Sequence, residues 1–389
     1  MQFIDLARQQ ARIRARIDAR IKAVLDHGHY IMGPEIAELE ECLRAFTGAV
    51  HCVTCASGTD ALLMPLMAWG VGPGDAVFVP PFTFFATAEE PAFLGAVPVF
   101  VDVDPATFNM RPDLLEKAVE AVRRQDASIY PLPHAAVERR LTPRVVIPVD
   151  LFGQPADYKA ILPIARRHGL RVLEDAAQAF GARTDGRRTC ALGCDAAATS
   201  FFPAKPLGCY GDGGAVFTDD AGLAETLRSL RVHGKGADKY DNVRLGVNGR
   251  LDTLQAAILL AKMEIFPEEI EARQQVAAWY ARCLDGIAGL TAPAPAPGVR
   301  SVWAQYCVTL PEDRRDAVAA RLKARGIPTN IYYPRAQHCL AVFRDLGYAP
   351  AAMPAALHAS RTVLALPFHP YLEEASVRMV ADALREALQ

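Results

Sequence analysis

Apolar residues recur at helical spacing in the first part of the chain. Between residues 11 and 25 they lie four positions apart among charged residues, which predicts one apolar stripe on an otherwise polar helix. The stripe consists of Ile13, Ile17, Ile21 and Leu25. Gly33-Pro34 interrupts the pattern, and a second helix is predicted to begin at Glu35.

From residue 51 onwards, short apolar runs alternate with helical patterns. The predicted strands are 52–55, 76–79, 97–103, 145–150, 171–175 and 214–218. The predicted helices between them are 59–67, 113–122, 158–168 and 223–232. Strands that are apolar along their whole length and are separated by helices are typical of a mainly parallel sheet covered on both faces.

The pattern changes after residue 252. A long helical stretch, 252–287, is followed by the Pro/Ala-rich segment 291–298 and then by a few strands and helices up to residue 388. We therefore predict a large α/β domain over 1–250, including the N-terminal helical segment, and a smaller α+β domain over 251–389. Residues 123–140 have the character of an insertion within the large domain, to which the sequence assigns no role.

Composition and charge limit the classes of partner. Lys plus Arg number 42 against 44 Asp plus Glu, so a net charge of −2 favours neither nucleic acid nor an anionic membrane as a partner. No apolar run approaches the ~18 residues of a membrane span. Asp5 and Arg8 stand where a signal peptide needs its apolar stretch. We expect a soluble cytoplasmic protein.

Nine cysteines, an odd number in a chain of this length, do not indicate a disulfide framework. Two spacings resemble metal-ligand pairs, Cys52 with Cys55 and Cys190 with Cys194. The first pair lies in a predicted strand, which would aim the two sulfurs in different directions. We expect buried thiols and no metal site.

Three places along the chain carry candidate chemistry, and the first is Ser57-Gly58-Thr59, between a predicted strand and a helix. Backbone amides at a helix start, together with two hydroxyl groups, suit a phosphate. The alternative is an ordinary N-cap, because Ser and Thr are common immediately before helices.

The second place is Glu174-Asp175, which ends a predicted strand. Ligands of open parallel sheets bind beyond the carboxyl ends of the strands, so a carboxylate there is well placed. The alternative is that Asp175 caps a following helix. Gln178, three residues further on, is predicted to emerge from the same turn.

The third place is the segment 200–214, in which Lys205 stands among apolar and small residues before a cluster of glycines. An amine that loses hydration in such surroundings becomes neutral more easily and attacks a carbonyl. The alternative is a surface lysine whose alkyl chain covers apolar groups. A phosphate cradle, a strand-end carboxylate and such a lysine are together what pyridoxal phosphate requires.

At this point the chain resembles the nucleotide-sugar aminotransferases of the DegT/StrS type, which have the fold type I of pyridoxal phosphate enzymes. The resemblance runs nearly from end to end. It is carried by Tyr30-Ile-Met-Gly-Pro-Glu, Ala56-Ser-Gly-Thr-Asp-Ala-Leu, Pro81-Phe-Thr-Phe, Glu174-Asp-Ala-Ala-Gln-Ala-Phe-Gly, Ser200-Phe-Phe-Pro-Ala-Lys-Pro-Leu-Gly, Tyr210-Gly-Asp-Gly-Gly-Ala, Gly246-Val-Asn-Gly-Arg-Leu-Asp and Tyr332-Tyr-Pro. It implies an α/β fold with a mainly parallel central sheet covered by helices and a smaller C-terminal α+β domain.

The resemblance also implies a role for each matching residue. Lys205 would form the Schiff base and move protons, and Asp175 would pair with the pyridine nitrogen. The other residues implied to hold the cofactor are Gly58, Thr59 and Ser200 at its phosphate, Phe84 stacked on its ring, Gln178 near its hydroxyl group and Asn248 reaching the phosphate of a neighbouring subunit. Asn248 therefore implies a homodimer with shared active sites. His233, Tyr333 and His338 are the expected substrate contacts.

The implied reaction moves an amino group, with glutamate the expected donor, to a keto group of a nucleotide-linked hexose. Members acting on UDP-linked 3-keto uronic acids in surface-polysaccharide synthesis, such as O-antigen, are the most similar. A uronate would need a cation, for which the candidates are Arg231, Arg244, Arg250 and Arg335. The alternatives are a 4-keto-6-deoxy sugar nucleotide as substrate, or a non-catalytic sensor with this fold. No G-x-G-x-x-G supports a Rossmann dehydrogenase.

Overall fold

The computed structural model describes residues 1–238 and 240–389. Its helices are α1 (Leu6–His27), α2 (Pro34–Thr47), α3 (Gly58–Ala68), α4 (Ala86–Phe93), α5 (Pro112–Arg124), α6 (His134–Glu138), α7 (Tyr158–His168), α8 (Ala221–Leu230), α9 (Thr253–Met263), α10 (Phe266–Leu284), α11 (Arg315–Ala324), α12 (Pro354–Thr362) and α13 (Glu374–Leu388). Short 3₁₀ helices cover Leu151–Gly153, Gln337–Cys339, Ala341–Leu346 and Pro350–Ala352.

The strands are β1 (His51–Cys55), β2 (Asp75–Val79), β3 (Val97–Phe100), β4 (Thr142–Val146), β5 (Arg171–Asp175), β6 (Arg183–Thr184), β7 (Arg187–Arg188), β8 (Ala196–Ser200), β9 (Gly214–Thr218), β10 (Val299–Arg300), β11 (Tyr306–Thr309) and β12 (Val363–Leu366). In the described residues, the central sheet has seven strands in the order β1-β9-β8-β5-β4-β2-β3. Only β9 runs antiparallel to its neighbours, so the predicted mainly parallel sheet is confirmed.

Helices cover both faces of this sheet. One apolar core lies between the sheet and α3, α5, α7 and α8, and the other lies between the sheet and α2, α9 and α10. Cys55 belongs to the first core and Cys52 to the second, since residues three apart in a strand lie on opposite faces. Both thiols are buried. The mainly parallel sheet with helices on both faces confirms the predicted α/β class.

A further apolar core is formed by α10, α11, α13, β11 and β12. At its centre Tyr280, Tyr306 and Phe368 stack on one another. The helix α9, by contrast, packs against α1 and α2. The division of the chain at residues 250 and 251 stays a prediction.

Two helix predictions differ from the structure. Leu25 is 55% exposed, and Val24 is buried in its place beside Ile13 and Ile17. On an α-helix, side chains four positions apart differ by about 40° in direction. The fourth residue of such a stripe therefore points away from the core. The predicted helix 252–287 is two helices, because Pro267 cannot donate a backbone hydrogen bond across their junction.

Sequence patterns also missed β8, which lies between β5 and β9 near the middle of the sheet. Its residues, Ala-Ala-Ala-Thr-Ser, are buried, but alanine has a low preference for strands. Residues 123–140 complete α5, form α6 and place Tyr130 in the core, where its Oη accepts a hydrogen bond from the Asp102 amide at 2.9 Å.

None of the described helices is both long and apolar enough to cross a membrane. A cytoplasmic location stays a prediction.

Candidate active site

The first turn of α3 lies against the end of β8. Ser57 is the N-cap of α3, since its Oγ accepts a hydrogen bond from the Asp60 amide at 3.0 Å. A Cβ at Gly58 would stand 2.5 Å from Cβ of Ser200, so only glycine allows this approach. The amides at the start of a helix lack intrahelical acceptors, and the hydroxyl groups of Thr59 and Ser200 belong to the same turn and strand end. This arrangement can bind an anion.

Asp175 ends β5 and is buried. Its Oδ2 accepts a hydrogen bond from Oγ1 of Thr87 at 2.9 Å, and its Oδ1 accepts one from the Ala177 amide at 3.2 Å. Burial raises the pKa of Asp175, while these hydrogen bonds and the charge of Lys205 oppose that rise. Turns follow β5 instead of a helix, so the interpretation of Asp175 as a helix cap is wrong.

Thr87 was not found from the sequence. It lies in α4, 88 positions before Asp175, and its Oγ1 is also 3.1 Å from Oγ1 of Thr83. The local sequence gives no signal for this contact, because a hydrogen bond between distant segments depends on how the chain folds.

Lys205 follows β8 in a tight loop. Its amide donates to the carbonyl oxygen of Phe202 at 2.8 Å, and its ammonium makes no hydrogen bond or ion pair with the residues that the structure describes. Burial lowers the pKa of Lys205, and the Asp175 carboxylate partly opposes this change. The Asp175 carboxylate therefore acts electrostatically on the Lys205 amine.

Gln178 and Tyr333 form a connected pair. Oε1 of Gln178 accepts a hydrogen bond from the Phe152 amide at 2.9 Å, and its Nε2 donates to Oη of Tyr333 at 2.9 Å. Burial raises the pKa of Tyr333, so its phenol keeps its proton at neutral pH. Asp175 contributes to the same rise, which places Tyr333 in the electrostatic surroundings of Asp175.

Phe84 is 56% exposed, although Phe82 beside it is buried against Tyr333. A second residue that the sequence did not reveal, Gln337, holds this loop. Its Nε2 donates to the carbonyl oxygen of Phe84 at 2.7 Å and to that of Thr83 at 3.2 Å. The ring of Phe84 is therefore open on a backbone that is fixed from the C-terminal part of the chain.

The remaining predicted residues make no hydrogen bond with Lys205, Asp175 or Gln178 in the part of the chain that the structure describes. His233 and Asn248 are exposed in the loop after α8, where Val232 pairs with Asn248 across an antiparallel bridge. His338 is 3% exposed, and its Nε2 lies 2.9 Å from the carbonyl oxygen of Pro350. Burial lowers the pKa of His338. The roles proposed for these three side chains stay predictions.

The candidate cations for a uronate differ in availability. Arg231 is buried, and its Nη1 binds the Glu40 carboxylate at 2.5 Å and the Thr54 carbonyl oxygen at 2.9 Å. Its charge is therefore already neutralised inside the protein. Arg244 and Arg335 are exposed, and Arg250 is partly buried.

Comparison with known proteins decides the family. The sequence pattern of the DegT/DnrJ/EryC1/StrS aminotransferase family matches residues 11–385. The chain belongs to this family. Its predicted membership and its nature as an aminotransferase are thereby confirmed, while the roles of Lys205 and Asp175 stay predictions.

Relatives of this aminotransferase match over nearly their whole length. A Pseudomonas aeruginosa protein named UDP-2-acetamido-2-deoxy-3-oxo-D-glucuronate aminotransferase is 49% identical over 386 residues, which cover 99% of each chain. A pleiotropic regulatory protein of Geobacillus stearothermophilus is 41% identical over 99% of this chain and 97% of its own. The crystal structure of a family member from Brucella abortus is similar with a TM-score of 0.92, at 48% identity and 99% coverage of both chains.

Proposed function

We propose that this aminotransferase uses pyridoxal phosphate to move an amino group from glutamate to the keto group of UDP-2-acetamido-2-deoxy-3-oxo-glucuronate, for surface-polysaccharide synthesis in the cytoplasm. The observation that carries the proposal is the buried Asp175 carboxylate at the end of β5, held by Oγ1 of Thr87 at 2.9 Å and close enough to the Lys205 amine to act on it electrostatically. The choice of sugar is supported by the 49% identity to the Pseudomonas aeruginosa enzyme.

The residues present fit pyridoxal phosphate. Its phosphate needs amide and hydroxyl donors, and the first turn of α3 offers them beside Ser200, in space that a side chain at position 58 would fill. Its ring nitrogen needs a buried carboxylate, which Asp175 supplies, and its aldehyde needs an amine such as that of Lys205. When bound, the cofactor supplies an acceptor for the electrons of a Cα carbanion.

Each of these residues would then have one task. Asp175, ionised and fixed by Thr87, would hold a proton on the ring nitrogen. Lys205, with its pKa lowered by burial, would take a proton from Cα of the amino donor as a general base. Phe84 would cover one face of the ring, and Tyr333 would donate a hydrogen bond from its phenol.

The substrate is tested by supplying each keto sugar with glutamate. UDP-2-acetamido-3-oxo-glucuronate should yield a 3-amino sugar and one 2-oxoglutarate per turnover, as measured by mass spectrometry. A dTDP-linked 4-keto-6-deoxy sugar should react at least about tenfold more slowly, because keto-group position alters the reacting geometry. Faster reaction of that sugar would contradict the assignment. Cofactor binding without turnover of any keto sugar would instead favour a regulatory protein.

Recognition of the uronate carboxylate is tested with arginine variants. We propose that Arg335 or Arg244 binds it, since Arg231 is buried with Glu40. The matching glutamine variant should raise KM for the uronate and leave KM for the corresponding uncharged UDP-sugar unchanged. Arg385→Gln, on the exposed side of α13, is the control. Equal effects on both sugars would contradict a carboxylate contact.

We also propose a homodimer with shared active sites. Exposed apolar side chains support it, since large rings and alkyl chains in water commonly mark an interface, and they include Tyr30, Ile31, Met32, Phe84 and Leu245. Asn248 is exposed close in sequence to Leu245. Mixing Lys205→Ala chains with Asn248→Ala chains should restore part of the activity that each variant alone lacks. No restoration in a mixed dimer would contradict shared sites.

A further inference from the structure

A second lysine, Lys262, lies behind the loop that carries Lys205. It belongs to α9 and is 1% exposed. Its Nζ donates a hydrogen bond to the carbonyl oxygen of Gly208 at 2.5 Å and lies 4.2 Å from the ring centroid of Tyr210. An ammonium group without water needs such partners, because burying an unpaired charge costs free energy.

The Gly208 carbonyl that Lys262 holds is rigidly connected to Lys205. The amide of Lys205 binds the carbonyl oxygen of Phe202, and the amide of Cys209 binds that of Phe201, each at 2.8 Å. A Cβ at position 208 would stand 2.5 Å from the carbonyl oxygen of Pro203, so the turn closes only around glycine. A shift of Gly208 would therefore move Lys205, three residues earlier.

A second side chain of α9 holds the same loop. Oε1 of Gln255 accepts a hydrogen bond from the Tyr210 amide at 2.8 Å. Gln255 and Lys262 are seven positions apart, which places them on one face of the helix, two turns from each other. The helix is itself fixed by packing against α1 and α2. The loop is thus bound at two backbone atoms to a rigid element.

We propose that Lys262 is a positioning residue for Lys205, whose hydrogen bond to Gly208 keeps the reactive amine where it meets the cofactor. This inference rests on the proposed function of Lys205. A charged donor suits the task, because charge-assisted hydrogen bonds to a carbonyl are shorter and stronger than neutral ones. Methionine in the same space would fill the volume but would not hold the carbonyl.

The charge of Lys262 is sensitive to its surroundings. Burial lowers the pKa of Lys262 to about 8, against an opposing influence of Glu269 and Cys209. The carboxylate of Glu269 is itself bound by Nε2 of Gln9 and the hydroxyl of Tyr371. In the wild type, the hydrogen bond from Lys262 to Gly208 should therefore weaken as the pH rises through about 8, because the lysine loses its charge. In Lys262→Arg the side chain stays charged throughout this range.

The test compares Lys262→Met, Lys262→Arg and Gln255→Leu with the wild type, and uses Lys323→Met on the exposed side of α11 as control. One readout is the rate at which pyridoxal 5′-phosphate attaches to Lys205 in the apo protein, followed by absorbance between pH 6 and 10. The other is the split between kcat and KM. Lys262→Met should lower the attachment rate and kcat about tenfold or more, as expected when a charged hydrogen bond is lost, with KM nearly unchanged.

The variants also separate positioning from stability. Lys262→Arg should recover part of the kcat that Lys262→Met loses. Gln255→Leu should show a smaller loss of attachment rate and kcat, and it provides the test if Lys262→Met does not fold. A lower melting temperature with unchanged attachment rate and kcat would overturn the inference and leave the function intact. If wild type does not attach the cofactor at Lys205, the proposed function itself fails.

Discussion

The side-chain amide of Gln178 donates from Nε2 to Oη of Tyr333 at 2.9 Å while its Oε1 accepts the Phe152 amide at 2.9 Å. The backbone contact fixes the orientation of the amide, because a backbone N–H can only donate. Tyr333 must therefore accept from Gln178, and its own proton is free for a substrate or cofactor oxygen. Gln178, predicted as a cofactor contact, thus also sets the direction in which Tyr333 donates.

This relationship predicts that Gln178→Glu and Tyr333→Phe have the same defect. A glutamate would still accept the Phe152 amide but would draw the phenol proton to itself, and phenylalanine has no proton to donate. Each variant should lower kcat/KM for the keto sugar about tenfold or more, the size expected for one hydrogen bond to a reacting group. The double variant should be little worse than either single one. Additive losses in this double-mutant cycle would contradict the coupling.

Removing the hydroxyl of Thr87 should alter the ionisation of Asp175. The hydrogen bond from Thr87 lowers the pKa of Asp175, so Thr87→Val should raise that pKa and require a higher pH for the carboxylate. The acid limb of the pH–kcat profile should move to higher pH. Thr83→Val, which loses a contact with Thr87 but none with Asp175, is the control and should move it less. Identical profiles for wild type and Thr87→Val would contradict the role.

The contact between Gly58 and Ser200 predicts a steric effect on phosphate binding. In Gly58→Ala the new Cβ would stand 2.5 Å from Cβ of Ser200 and push apart the two walls of the proposed cradle. Affinity for pyridoxal phosphate should fall by about tenfold or more, as measured by titration of the apo protein. Gly72→Ala is the matched control, since its Cβ would meet nothing closer than 3.7 Å. Equal affinities of the two variants would contradict the cradle.

A buried acid pair predicts how stability depends on pH. Glu174 lies in β5 and Asp150 follows β4, and both side chains are fully buried. Oδ2 of Asp150 and Oε2 of Glu174 have no hydrogen-bond donor among the described residues. Burial raises the pKa of Glu174 to about 7 and raises that of Asp150 as well, so the pair retains a proton at neutral pH.

Since the folded state of Glu174 binds its proton more tightly than the unfolded state, its contribution to stability is present below about pH 4.5 and is lost as the pH rises through 7. Glu174→Gln cannot titrate. The melting temperature of Glu174→Gln minus that of the wild type should therefore increase between pH 5 and pH 8, as measured by calorimetry of the apo protein. A constant difference between the two proteins across this range would contradict the shared proton.

Sequence patterns were sufficient to single out those parts of the candidate site that lie within short motifs, and their roles stay predictions. Lys205, Asp175 and the start of α3 each belong to a local pattern of strand end, turn and helix start, and their chemistry follows from residue types. Thr87 and Gln337 could not be predicted, because each acts through hydrogen bonds to a segment at least 88 positions away. The buried ion pair of Arg231 with Glu40 could not be predicted for the same reason. The strand β8 was missed because alanine has a low preference for strands.

The role of Lys205 is tested most directly by mapping the lysine to which the cofactor is bound. Purified protein loaded with pyridoxal phosphate is reduced with borohydride and digested, and the peptides are sequenced by mass spectrometry. We expect one modified lysine, Lys205, and no modification in Lys205→Ala. Modification of the buried Lys262, or of no lysine at all, would contradict the assignment.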